Sequence, residues 1–510
     1  MILENLKVKP IELETGRNIV VLNENDVKEL GLYAGDRVKL VISKTTLTAI
    51  VDVTDRMVQP GEIGTFAEVT RALGLHAGDA VNLAPAPNPQ SLDSIKKKMA
   101  GQQLTDEEVY SIVDDLVAGN LSSVEMTAFI TSQYIRDMTM SEIVALTRRM
   151  ADSGEKLHLD MSPVLDVHSI GGVPGNKYAL ITVPIVASAG LTVPKTSSRA
   201  ITSPAGTADV MEMLANVSLN LDEIKEIVEK VGAVLAWGGA VKLAPADDII
   251  IGAERQLGID PRCQLLASVM SKKLAVGADH VLIDIPTGPG VKAENLDRAR
   301  IWAHDFMELG HNLNVQVETA ITYGGQPVGY AVGPALEARE ALETLLGKGP
   351  GSLIEKATSL AGIMLEFGGA VTNGSGKQMA VDILNSGKAY QKMREIIEAQ
   401  GGNPDVRPED LPVGDKKEIV VATHGGYITN INNQQIMAIG RLAGAPRDKG
   451  AGLKIMLKKG HKVNKDEPLF EIYAEHDKKL DDALTMAKRF PPITVESMLI
   501  EKMTHRPRMG

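Results

Sequence analysis

Three prolines within five residues, Pro85, Pro87 and Pro89, divide this chain more sharply than any other feature. Each removes a backbone donor and fixes its own φ, so neither a helix nor an interior strand passes through Leu83-Ala-Pro-Ala-Pro-Asn-Pro-Gln90. Before that stretch the pattern alternates with period two, at Asn18–Leu22, Arg37–Ile42 and Leu47–Val53, punctuated by turns at Gly35-Asp36 and Gly78-Asp79. This predicts a β-rich domain over residues 1–88. After it, Thr105-Asp-Glu-Glu108, Ser122-Ser-Val-Glu125 and Thr139-Met-Ser-Glu142 each place a carboxylate three residues after a hydroxyl. That spacing satisfies two orphan N–H groups at a helix start, so three short helices are expected over about 91–160.

From about 163 to 410, strand-like runs at Val164–Val167, Leu180–Val186, Ala233–Ala236, His280–Ile285 and Asn314–Thr319 alternate with helical stretches and glycine loops. Alternation of this kind predicts an α/β domain on a mostly parallel sheet. Pro261–Ala275 is apolar-periodic, and the sequence pattern alone does not assign it to a domain. Residues 415–475 return to β character, followed by a helix over Leu480–Phe490.

Composition narrows the function. With 510 residues the chain exceeds one compact core. Its 54 basic and 65 acidic residues leave a net charge of −11 without long like-charge runs. A nucleic-acid coat or membrane-surface protein presents a basic face instead, so no nucleic acid and no membrane are expected as partners. Six Phe, two Trp and nine Tyr are too few for a base-stacking platform. The single cysteine, Cys263, excludes internal disulfides and Cys-rich metal sites. No apolar run approaches the roughly 20 residues of a membrane span, and a cytoplasmic enzyme is expected.

Four segments suit an anionic ligand, because glycine turns and helix starts expose backbone N–H groups. Asp166-Val-His-Ser-Ile-Gly-Gly-Val-Pro-Gly175 follows a strand and offers His168 and Ser169, although a tight turn alone uses the same residues. Lys195-Thr-Ser-Ser-Arg-Ala-Ile-Thr-Ser203 gathers hydroxyls with Arg199, a set that reaches several oxygens of a tetrahedral anion; a solvated surface loop looks similar. In Ala205-Gly-Thr207, Thr207 reads as an N-cap or as part of a phosphate cradle. In Gly258-Ile-Asp-Pro-Arg262, Asp260 reads as a helix cap or as an acid. Asp260, Gln264, Ser268 and Lys272 recur every four residues, forming one polar stripe that is either solvated or lines a cleft.

His168-Ser-Ile-Gly-Gly-Val, Ser-Ser-Arg-Ala followed by Gly206-Thr207, Leu243-Ala-Pro-Ala-Asp-Asp248, Ser268-Val-Met-Ser-Lys-Lys273 and Gly333-Pro-Ala-Leu-Glu-Ala-Arg-Glu-Ala341 occur in this order. Together they resemble the thymidine phosphorylase family over about residues 93–500. The additional N-terminal domain is similar to that of the archaeal, AMP-cleaving branch. The resemblance implies a multidomain α/β fold of the pyrimidine nucleoside phosphorylase type. Its parts are an N-terminal β-barrel-like domain (1–88), a helical domain (91–160 plus about 245–275), a mixed α/β sheet domain (163–244 plus about 276–410) and a C-terminal α+β domain (415–510).

Val167 stands where thymidine phosphorylases carry a lysine, and Ile250 and Ala253 stand where they carry the tyrosine and arginine that read a pyrimidine. Loss of those donors argues against thymidine. The resemblance instead implies reversible phosphorolysis of AMP to adenine and ribose 1,5-bisphosphate, with CMP and UMP as further candidates. Inorganic phosphate is a co-substrate, no cofactor is needed, and a homodimer or larger homo-oligomer is expected.

By the same resemblance, Asp260 protonates the leaving base, a step that contributes on the order of 10²- to 10⁴-fold. Gly172, Ser198, Arg199, Ala200, Ile201, Thr202, Ser203 and Thr207 bind phosphate or ribose, Ser268 contacts base or ribose, and Lys292 neutralises phosphate charge. His168, Ser169 and Lys272 are further candidates. Three rival functions are separable by experiment. A pyrimidine nucleoside phosphorylase is separated by comparing thymidine with AMP, a phosphoribosyltransferase of related fold by its need for a metal, and a non-catalytic nucleotide binder by phosphate-dependent base release.

Overall fold

The computed structural model describes residues 2–42, 45–200, 203–499 and 503. Internal packing divides the chain into two compact units, Met1–Gly154 with Ala244–Ser268, and Glu155–Leu243 with Val269–Gly510.

The first unit opens with a closed six-stranded barrel. Its strands are β1 (Leu3–Pro10), β2 (Ile19–Asn23), β3 (Arg37–Ile42), β4 (Thr45–Thr54), β5 (Glu62–Thr65) and β6 (Ala80–Pro85), in the order β1-β5-β2-β4-β3-β6. The barrel repeats itself. Helix α1 (Glu24–Leu30) between β2 and β3 answers helix α2 (Ala67–Leu73) between β5 and β6, and each ends on a left-handed glycine, Gly31 or Gly74. The following turns match as well. Asp36 accepts the Tyr33 N–H, and Asp79 accepts the His76 N–H, both at 2.7 Å. β1 pairs parallel with β5, and β4 parallel with β2, which completes an approximate twofold. Alternate residues such as Val20, Leu22, Val38, Leu40, Val51, Ile63, Val81 and Leu83 fill the interior.

The helices of this unit are α3 (Ser91–Met99), α4 (Asp106–Val117), α5 (Ser123–Arg136) and α6 (Met140–Asp152), joined by α10 (Pro245–Leu257) and the first half of α11 (Arg262–Ala275). All three expected capping boxes form, at Thr105/Glu108, Ser122/Glu125 and Thr139/Glu142. The barrel is bonded to the helices that follow the proline stretch. Arg37 at the start of β3 is buried and donates to the Asn120 carbonyl at 2.7 Å, to Asn88 at 3.2 Å and to Glu125.

The second unit is built on parallel strands. β7 (Leu165–Ser169), β10 (His280–Thr287) and β11 (Gln316–Tyr323) form one sheet, while β8 (Val193–Ser197) and β9 (Ala233–Trp237) form a second, parallel pair. Helix α7 (Ala179–Ser188) occupies the segment expected as a strand at Leu180–Val186. Every residue from Ala179 to Ala187 is buried, so the run carries no helical periodicity, and a fully enclosed helix reads like a buried strand. Helices α8 (Thr207–Met211), α9 (Leu221–Val231), α12 (Leu296–Leu313), α13 (Pro334–Leu345), α14 (Gly351–Phe367), α15 (Gly376–Asn385) and α16 (Lys388–Ala399) complete this part.

The C-terminal region joins the same unit. β12 (Ala331–Val332) lies upstream of the expected boundary at 415, yet it pairs with β15 (Gly452–Ile455) in the sheet β12-β15-β17-β13. The other strands of that sheet are β13 (Lys416–Val421) and β17 (Pro468–Ala474). β14 (Gly426–Ile431), β16 (Lys462–Val463) and β18 (Ile493–Glu496) make a second sheet, while α17 (Asn433–Leu442) and α18 (Asp477–Arg489) pack on each other and on strands of the first. The expected segment 245–275 is likewise cut, since Val269–Ala275 belongs to the second unit. Lys273 is the reason, because its ammonium reaches Asp166 on β7 at 2.6 Å. Among the described residues, no helix is long and apolar enough to cross a membrane.

Candidate active site

In parallel α/β sheets the loops at the carboxyl ends of the strands form the ligand site. Here those loops include 169–175 after β7, 198–200 and 203–206 after β8, and 288–292 after β10. The first and third touch. Gly172 has φ +90°, and a Cβ there would lie 3.2 Å from both the Lys292 nitrogen and the Val291 Cα. Any other residue would be strained by this φ and pressed against that backbone, which ties Gly172 to the loop that carries Lys292. Ser169 organises its own loop by accepting from Asn176 Nδ2 at 3.0 Å.

Beneath these loops lies a charge cluster. Asp166 is fully buried and accepts from Lys273, and the Lys195 ammonium is 3.9 Å away. One carboxylate thus faces two buried lysines. Burial first, and then Lys273, lowers Lys195 to about 7. His168 on β7 is held well below the ordinary histidine range by burial and by the charges of Lys273, Lys195, Lys272 and Lys292. Near neutral pH it is a neutral imidazole in a positive field, suited to hydrogen bonding beside an anion.

The loop after β8 departs from its expected role in part. β8 runs through Ser197, so Lys195 lies in the strand and not in the loop. Arg199 does not point a free guanidinium at an anion. It bonds Glu212 at 2.8 Å and Asp209 at 3.2 Å, and it stacks over Trp237 at 4.7 Å. The Ala200 N–H is also spoken for, by Asp209 Oδ2 at 2.7 Å. Ser198 is exposed, and Ser203 donates to the Ala205 carbonyl at 3.0 Å. Ile201 and Thr202 lie outside the described residues. Thr207 is the first residue of α8 and not its cap, which is Gly206. The pairing of Glu212 with Arg199 first, and with Lys449 as well, lowers that carboxyl to about 2.

The loop after β7 has a buried anchor. The Lys177 ammonium donates to the carbonyls of Gly175 (2.9 Å), Val328 (3.2 Å) and Ala331 (3.1 Å), and pairs with Glu340 at 2.7 Å. Nearby Glu337 is raised to about 7 by burial.

The remaining candidates lie on the first unit. α11 begins at Arg262, so Asp260 stands two residues before the helix, outside the capping position. The polar stripe is neither solvated nor open at Gln264, which is buried and bonds Gln133 at 2.6 Å. Ser268 donates to Asp247 at 2.9 Å. Cys263 is a core residue whose thiol burial pushes up.

Sequence patterns assign no role to Asp166, Lys177, Asp209, Glu212, Lys273 or Lys449. Asp166 carried a signal, being a carboxylate inside an apolar strand run, where an ionised group persists only with a partner.

Residues 92–154 match the helical bundle domain of a glycosyl transferase family, residues 161–390 match its a/b domain, and residues 427–493 match a pyrimidine nucleoside phosphorylase C-terminal domain. These domains define a transferase of glycosyl groups. Over 498 residues the chain is 54% identical to the AMP phosphorylase of Thermococcus sibiricus, covering 98% of this chain and 99% of that one. It is 50% identical over 499 residues to the AMP phosphorylase of Methanococcoides burtonii, covering 98% of each. The chain belongs to the AMP phosphorylase family. Anthranilate phosphoribosyltransferase from Thermus thermophilus shares the fold, with a TM-score of 0.53 at 21% identity, over 61% of this chain and 100% of that one.

Proposed function

We infer that the protein catalyses reversible phosphorolysis of AMP. An oxygen of inorganic phosphate bonds C1′ of the ribose as the bond from C1′ to the base nitrogen breaks, and the electrons of that bond leave with adenine. A proton delivered to the departing base completes the products, adenine and ribose 1,5-bisphosphate. The observation that carries this reading is the cluster of cations under the strand-end loops, where Lys273 and Lys195 lie 2.6 and 3.9 Å from the buried Asp166 and the Lys292 backbone packs against Gly172, so that His168 is surrounded by positive charge. Two phosphate groups on one sugar repel each other, and a preorganised cationic site offsets that repulsion as the transition state forms. The names of the relatives point to the same reaction.

Asp260 is proposed as the proton donor, and Lys292 as the group that balances the charge of the 5′-phosphate. Gly172, Ser198, Ser203 and Thr207 are proposed as backbone and hydroxyl donors. Arg199 and Ala200 act one step removed, by shaping the loop. Ser268, whose hydroxyl donates to Asp247, is assigned to base or ribose. A homodimer through the helical region is also proposed. It is supported by Val124, Ile135, Tyr134 and Met99, at 77%, 67%, 58% and 53% exposure, on α5 and the end of α3. A cytoplasmic location is also proposed, supported by the single cysteine being a free thiol, as is usual in a reducing compartment.

Release of free base from AMP, CMP, UMP, adenosine and thymidine, with and without phosphate, tests the reaction. Adenine release from AMP that requires phosphate is expected; release without phosphate, or from thymidine in preference, defeats it. Asp260→Asn is expected to lower kcat by about 10²-fold or more with AMP binding retained, and an unchanged kcat removes Asp260 from the role.

A further inference from the structure

The loop after β8 is held from a distance. Glu212 on the turn after α8 takes Arg199 on one side and Lys449 on the other, with the Lys449 ammonium 2.5 Å from Glu212 and 3.7 Å from Asp209. Lys449 belongs to the C-terminal region, on the turn between α17 and β15, more than 200 residues away in sequence. That turn is braced on every side. Asp448 takes Lys479 of α18 at 2.6 Å, the Gly450 N–H donates to Glu475 at 2.7 Å, and the Lys449 carbonyl accepts from Ala335 at the start of α13 at 3.0 Å. The same region meets the loop again at Gly440 of α17, where a Cβ would lie 2.8 Å from Pro204 Cγ. A flexible cation would contribute little to an exposed pair, but a cation on a fixed turn defines where Glu212, and through it Arg199, must sit.

We propose that Lys449 is a positioning residue for residues 198–200 of the substrate loop after β8, so that the C-terminal region tunes substrate affinity through the chain Lys449–Glu212–Arg199. This rests on the reading of that loop as part of the phosphate and ribose site. Lys449 touches no reacting atom. Its ammonium sets the carboxylate that orients Arg199 over Trp237, and Asp209 in the same cluster holds the Ala200 N–H.

Two readouts test the proposal in the full-length protein. The first is optical. The chain has two tryptophans, so a Trp302→Phe background leaves Trp237, under Arg199, as the only indole reporter. Lys449→Met in that background is expected to shift Trp237 emission, and Lys449→Arg to restore it. The second is kinetic. Lys449→Met is expected to raise KM for AMP or phosphate by about threefold to tenfold, the span of one charge-assisted hydrogen bond in a partly exposed site, with kcat changed less. Lys449 is 34% exposed, so the variant should melt near the wild-type temperature.

A cycle with Glu212→Gln adds a coupling test, in which the double variant should be no worse than Glu212→Gln alone. Unchanged Trp237 emission, KM values within twofold of wild type, additive losses in the cycle, or failure of Lys449→Arg to restore would each overturn the proposal. If wild-type protein releases no base from AMP, the functional reading fails instead, and the Trp237 signal still decides whether Lys449 sets Arg199.

Discussion

In the loop after β7, Ser169 accepts from Asn176 seven residues on, and Lys177 caps the Gly175 carbonyl from within the same segment. In the loop after β8, Arg199 and Ala200 are held by carboxylates of the α8 region and, beyond them, by a lysine 250 positions downstream of Arg199. The two loops face the same task, presenting donors to an anion without collapsing. One is stiffened mainly by its own neighbours and a buried ammonium, the other by partly exposed charges from remote elements. Burial separates them energetically, because removing one member of a buried pair leaves an uncompensated charge, while partly exposed pairs are screened.

The largest break in that contrast is Lys177→Met. It strips the cation from Glu340 and Glu337 and three carbonyls at once, and it is expected to destabilise the protein by about 3–5 kcal/mol. Thermal or urea unfolding measures this, and a loss below 1 kcal/mol would mean that the anchor is dispensable. Next is Gly172→Ala. A left-handed backbone costs a non-glycine residue about 1–2 kcal/mol, and the added methyl presses on the Lys292 backbone. KM for AMP should rise about tenfold, with a smaller change in melting temperature; the opposite ranking would make Gly172 a folding residue only.

The smallest effect is the pH dependence of Glu212→Gln. A carboxyl lowered to about 2 in the folded state contributes stability that is complete above its ordinary value near 4.5 and is lost as pH falls from there toward 2. The gap between wild type and variant should therefore be constant from pH 8 to 5 and shrink below 4.5. Because Arg199 and Lys449 are partly exposed, the gap is expected to stay at or below about 1 kcal/mol. A gap that widens in acid would reverse the assignment.

Much of the architecture was legible because it is written locally. The capping boxes at Thr105, Ser122 and Thr139 form as read, since all their partners lie within three residues. The motif order from His168 to Ala341 pointed to the family whose relatives align along nearly the whole chain. The α7 segment failed because a helix enclosed on all sides has no polar face to set a period. The barrel's internal repeat was also missed, although Gly35-Asp36 and Gly78-Asp79 were both seen as turns; its symmetry lies in strand pairing, which joins residues dozens of positions apart. Arg199 misled for a related reason. An arginine among hydroxyls looks like an anion ligand until the carboxylates that occupy it are brought in from α8.

The order of the residues determined which segments turn, cap and alternate, because those choices are settled by φ preferences and by hydrogen bonds spanning three or four positions. It also placed glycine and hydroxyl loops after strands, and with them the chemistry the site can offer. Tertiary structure alone decided which charges meet. Lys273 reaches Asp166, Lys177 lies under the first loop, and Lys449 reaches Glu212, because an ion pair depends on distance in space and dielectric surroundings, and neither is encoded in sequence spacing.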